Sequence, residues 1–184
     1  MNQKIKTKDM VLTALLIAIG IIIPVYFGFL RVNLPPAFTA TIMAHVPIFI
    51  AMFISPWSAL FTAIGTTIGF CFTTPPVVAV RAASHVIFAL IGATMIKKGR
   101  NLILVGVVTA LLHALFEALV VYLFFVFGLT TPNTGESFLY AAFYITGIGT
   151  LLHDIIDYII ACILGIALVK AKMLPSLPPI WKKL

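Results

Sequence analysis

Eight ionisable side chains stand inside long apolar runs of this chain: His45, Arg81, His85, His113, Glu117, His153, Asp154 and Asp157. In an apolar environment such groups are costly unless they are paired or wetted, so their default reading is a functional interior. Arg81 and His85, His113 and Glu117, and His153 and Asp157 are each four residues apart. That spacing puts each pair on one helix face. Together with His45 they can line one polar pocket opening outward, in which imidazoles and carboxylates would hydrogen-bond a ligand and Arg81 would be the counter-ion of a carboxylate.

The same residues admit a second chemistry. His113, Glu117, His153 and Asp157 are metal-ligand types, as an intramembrane metal-dependent hydrolase would use. Against it, HExxH and GxSxG are both absent, and Ser84 and His85 are adjacent, which is poor geometry for a serine–histidine pair. There is no CxxC, and no Walker A loop by which the chain itself would use ATP. Nothing resembles the repeated filter or charged ring of a channel.

Each residue also has a structural reading. Arg81 lies close to Pro76 and can reach for lipid headgroups. His85 can bond a neighbouring helix, and His113 with Glu117 can be a polar clamp. Asp154 points about 100° away from His153 and belongs to a different contact. His45 alone reads as a fold-holding residue. Among the aromatics, Phe38, Tyr140 and Tyr144 stand near loops where they can stack on a planar ligand.

The elements that position these groups follow from composition. Of 184 residues, 62% are hydrophobic and 9% charged, and the mean hydropathy is +1.18. A soluble domain has about a quarter of its residues charged, and a fold of this size cannot hide so much apolar surface, so the solvent is lipid. The length allows about six spans of about 20 residues. They are expected over Met10–Phe29, bent or ended near Pro24; Phe38–Ile54; Pro56 to Phe72, with the small-xxx-small pair Gly65 and Gly69; Val78–Ile96; Leu102–Phe127; and Phe138–Val169. The last is too long for one simple span. Gly147 and Gly149 mark an expected hinge, with 138–146 a lid or re-entrant piece.

Ten bases (Lys4, Lys6, Lys8, Lys97, Lys98, Arg100, Lys170, Lys172, Lys182 and Lys183) then fall on one side, and Arg31 is the base of an opposite loop. By the positive-inside rule both termini are cytoplasmic. The expectation is one all-α domain over residues 1–184, six transmembrane helices in a prokaryotic cell membrane. The basic charge is thereby explained without nucleic acid. Two separated cysteines make no disulfide framework.

Ala14 and Ala18, one turn apart on the first span, form another small-residue face. With six spans, cytoplasmic termini, and the stretches Ala40-Thr41-Ile42-Met43-Ala44-His45-Val46-Pro47 and Arg81-Ala82-Ala83-Ser84-His85-Val86-Ile87-Phe88-Ala89, the chain resembles a substrate-binding S component of an energy-coupling factor vitamin transporter. The likeness runs nearly the whole length. It implies a non-catalytic subunit without cofactors or bound metal. Such a subunit captures a vitamin or precursor from outside, under a lid made by the first outer loop, where Asn33 lies. It implies docking through Ala14 and Ala18 on a membrane coupling subunit driven by two cytoplasmic ATPases. The implied substrate set is Asn33, His45, Arg81, His85, His113, Glu117, His153 and Asp157. General likeness points to the hydroxymethylpyrimidine/pyridoxine branch, with niacin or pantothenate next.

Overall fold

In a computed structural model of the protein, residues 6–34, 38–174 and 177–178 are described. Six α-helices account for most of them: α1 (Thr7–Tyr26), α2 (Val46–Ile54), α3 (Pro56–Thr73), α4 (Pro76–Lys97), α5 (Leu102–Val126) and α6 (Ile148–Lys170). Two short strands, β1 (Arg31–Leu34) and β2 (Phe38–Thr41), form an antiparallel hairpin between α1 and α2, with Asn33 opposite Thr39.

Proline and capping chemistry set the helix boundaries. Pro47, Pro56 and Pro76 sit at the first turns of α2, α3 and α4, where a missing N–H costs nothing. Ser55 and Asn101 cap α3 and α5, their side chains accepting from the N–H groups of Ser58 (3.0 Å) and Leu104 (2.7 Å). Pro24 lies in the last turn of α1, which ends at Tyr26 as expected of a proline there.

Close helix contact is made where the small residues are. A Cβ on Gly65 would stand 2.7 Å from Ile17 Cγ2, and one on Gly69 would stand 2.8 Å from the carbonyl oxygen of Ile21. Only glycine therefore lets α3 lie this close to α1. Thr13 of α1 also donates to Ser58 of α3 at 2.8 Å.

The expected second span differs. Phe38–Thr41 is strand rather than helix, and α2 has nine residues, about 14 Å at 1.5 Å per residue against a hydrocarbon layer of about 30 Å. Met43 takes a left-handed conformation (φ 70°) that breaks the run between β2 and α2. The apolar character that suggested a span has another cause. Val46 to Phe53 are all buried, and α2 packs against α1, α3, α4 and α6 at the centre of the bundle. Its Phe49 and Met52 share a core with Phe88, Val105 and Tyr158, whose hydroxyl donates to the Leu102 carbonyl at 2.8 Å.

The expected hinge in the last segment is also absent. Tyr140–Gly147 is π-helical and runs directly into α6, so 138–146 is no separate lid from residue 140 onward. Gly147 marks a change of winding with helical dihedrals (φ −61°, ψ −49°). Among the described residues four helices are long and apolar enough to cross a membrane: α1, α4, α5 and the continuous Tyr140–Lys170 segment. The chain is a multi-pass helical membrane protein.

Candidate functional site

The polar residues converge where α2, α4, α5 and α6 meet beneath β2. On α6, Thr150, His153, Asp154 and Asp157 follow i, i+3, i+4, i+7 spacing, one stripe facing inward. All four are buried, as are His45, Arg81, His85, His113 and Glu117.

Asp157 anchors one half. Its Oδ1 accepts the Met43 N–H (2.9 Å), and its Oδ2 accepts the His45 N–H (3.0 Å) and contacts His45 Nδ1 at 3.1 Å. These bonds hold the left-handed Met43 turn and put a carboxylate at the N-terminus of α2, where the helix dipole favours it. His153 Nε2 lies 3.5 Å from the same Oδ2.

Glu117 anchors the other half. Its Oε2 receives Arg81 Nη2 and the Thr150 hydroxyl, both at 2.6 Å. Its Oε1 faces His85 Nε2 at 3.1 Å and His113 Nε2 at 3.4 Å. Arg81 is further held by Thr39, donating to its carbonyl at 3.1 Å and to its hydroxyl at 3.4 Å. The hairpin is thus fastened to α4 through a guanidinium, with Phe38 over the same group at 5.9 Å.

His45 joins the halves. Its ring centroid is 4.4 Å from that of His113, 4.6 Å from His85 and 4.8 Å from His153. One guanidinium, four imidazoles and three carboxylates share this buried cluster. Beside it is a cavity of about 20 Å³, lined in part by Thr39, His45, Arg81, His85, Glu117 and His153. That volume holds about one water-sized group.

Several expectations are corrected. Arg81 does not reach outward: it is 3% exposed and ion-paired to Glu117. Asp154 has its own contact, as expected, but within the same network: its Oδ1 meets His113 Nδ1 at 2.6 Å. His45, expected alone as a fold-holding residue, does hold the start of α2 through Asp157 and also stands among the other three imidazoles. Tyr140 and Tyr144 are exposed and stack on each other at 5.1 Å, away from the cluster, whereas Phe38 is buried beside it. Asn33 is exposed on β1, outside the cluster and opposite Thr39. The quartet His113, Glu117, His153 and Asp157 is not one donor set. His113 and Glu117 group with His45 and His85, while His153 and Asp157 form a second group with His45.

Thr39 and Thr150 were missed. Thr150 was findable, since it lies three and four residues before His153 and Asp154 on the same helix stripe. Thr39 became visible only with the hairpin. Ala14 and Ala18, expected to meet a partner, are exposed on α1 together with Val11, Leu15 and Ile19.

Comparison with known proteins gives one relationship over most of the chain. It is 33% identical to the niacin transporter NiaX of Lactococcus lactis subsp. cremoris (strain MG1363) over 178 residues, covering 92% of this chain and 78% of that protein. No family model and no solved structure matches.

Proposed function

Because this chain belongs to the family of the niacin transporter NiaX, we propose that its buried polar cluster captures a small pyridine vitamin, nicotinic acid or its amide, for import. The observation that carries this reading is the Arg81–Glu117–His85–His113 network, walled in by apolar helices and covered by the hairpin. A pyridine nitrogen takes an imidazole N–H. A carboxylate takes Arg81, whose Nε has no partner of its own among the described residues. Phe38, beside Arg81, supplies an apolar surface for the ring. The relative moves the preferred cargo from hydroxymethylpyrimidine or pyridoxine, which the sequence favoured, to niacin.

The chain is the capture subunit and does no chemistry. The lysine distribution supports both termini in the cytoplasm of a prokaryotic cell, with residues 1–184 acting as one domain. Transport requires a membrane coupling subunit and two cytoplasmic ATPases. The exposed Ala14–Ala18 face of α1 supports contact with the coupling subunit, because small side chains allow another helix close approach.

The test is mass spectrometry of small molecules released from protein purified in mild detergent, followed by calorimetry with nicotinate, nicotinamide, pyridoxine, hydroxymethylpyrimidine and pantothenate. One equivalent of a pyridine-3-carboxyl compound is expected. Tight binding of a pyrimidine or pantothenate with none of niacin would replace the cargo. A hydrolytic turnover would sink the transport reading.

A further inference from the structure

The donor geometry within the cluster goes beyond vitamin capture. We propose that His45, His85, His113 and Glu117 bind a divalent transition-metal ion of the zinc class. One donor atom from each lies within 4.8 Å of the other three, and all four residues are buried. A tetrahedral site with bonds of about 2.0–2.1 Å has edges of about 3.3 Å. His85 Nε2 and His113 Nε2 already stand 3.1 and 3.4 Å from Glu117 Oε1, at that edge length. The widest pair must draw in from as much as 4.8 Å.

The surrounding shell has the form such a site needs. Metal-bound imidazoles usually give their second nitrogen to a carboxylate, which fixes the tautomer and turns the other nitrogen to the metal. His113 Nδ1 is on Asp154 at 2.6 Å and His45 Nδ1 is on Asp157 at 3.1 Å. Both are therefore left with Nε2 as the free donor. Glu117 is arranged likewise: Arg81 and Thr150 occupy Oε2 and leave Oε1 to the two imidazoles. His85 lacks such support, since its Nδ1 has no partner among the described residues.

Charge and satisfaction point the same way. Among the described residues His113 Nε2 is buried and makes no hydrogen bond, yet it lies 3.4 Å from a carboxylate oxygen. With one proton on Nδ1 toward Asp154, a cation, either a second proton or a metal ion, belongs between Nε2 and Oε1. Three carboxylates stand here against one guanidinium, so a divalent ion also helps to balance the buried charge. Three imidazoles with one carboxylate suit zinc better than magnesium or calcium, which prefer oxygen. This departs from the metal-free site expected of the sequence, and it does not rest on the identity of the vitamin.

The test uses the full chain in mild detergent, stripped with chelator, then loaded with Zn²⁺ or Co²⁺ and desalted. About one metal per chain is expected, and the cobalt form should show the intense visible bands of four-coordinate cobalt. His113→Gln and His85→Gln should each lose the metal, and Asp154→Asn should weaken its affinity by about 10- to 100-fold. If His113→Gln does not fold, His85→Gln carries the test, because His85 bonds only Glu117. Substoichiometric zinc in a monodisperse, helical preparation overturns the proposal. So does a full equivalent that persists in both histidine variants.

Discussion

Glu117 and Asp154 are both buried carboxylates on histidines, yet they differ in what depends on them. Glu117 ties together Arg81, Thr150, His85 and His113, whereas Asp154 meets only His113, its other oxygen being unpartnered. Glu117→Gln is therefore expected to weaken vitamin binding by about tenfold or more, roughly 1.4 kcal/mol, and by more than Asp154→Asn does. Calorimetry of the two variants side by side decides it; the reverse order would move the pocket toward the α5–α6 side. Glu117→Gln should also lower the melting temperature, since a buried guanidinium left unpaired typically costs about 3–5 kcal/mol. At this scale the sequence was informative. Ionisable residues in apolar runs are conspicuous, and the fourfold spacing placed Arg81 with His85 and His113 with Glu117 correctly. Spacing along one helix says nothing of partners on another, so the Arg81–Glu117 pair and the central place of His45 were not legible.

Among the elements, the long helices were read to within a few residues because prolines, caps and glycine breaks mark their ends. The failures were α2 and the segment before α6. Residues 38–54 are predominantly apolar, and hydrophobicity alone does not distinguish a lipid-facing span from a strand followed by a short helix packed inside a bundle. The two glycines of the last segment separate by what surrounds them. A Cβ on Gly149 would stand 2.8 Å from the ring of Phe38, while one on Gly147 would meet nothing closer than the Ala118 Cβ at 3.7 Å. Gly149→Ala should displace Phe38 and the hairpin with it, costing about 1–3 kcal/mol and weakening vitamin binding. Gly147→Ala should leave both unchanged. Thermal unfolding in detergent and a binding isotherm for each variant check this; equal behaviour would mean that the seating of Phe38 on α6 does not matter.

For the molecule as a whole, one end of the bundle gathers charge under a hairpin while α1 turns a small-residue face outward. If capture and docking are separate, they can be separated by mutation. Replacing Ala14 or Ala18 with Leu should abolish vitamin uptake by cells and leave binding to the purified protein unchanged. Uptake and calorimetry on the same variants test this; loss of binding would mean that the face supports the site rather than a partner. The cavity beside the cluster has a last consequence. At about 20 Å³ it is far smaller than a pyridine carboxylate, and small-molecule sites are typically about 300 Å³ or more. Admission of the vitamin thus requires a roomier arrangement of the cluster than the closed one. The affinity measured in solution equals that of the roomy form multiplied by the fraction of molecules adopting it. The closed packing therefore limits affinity even where no group that touches the cargo is altered.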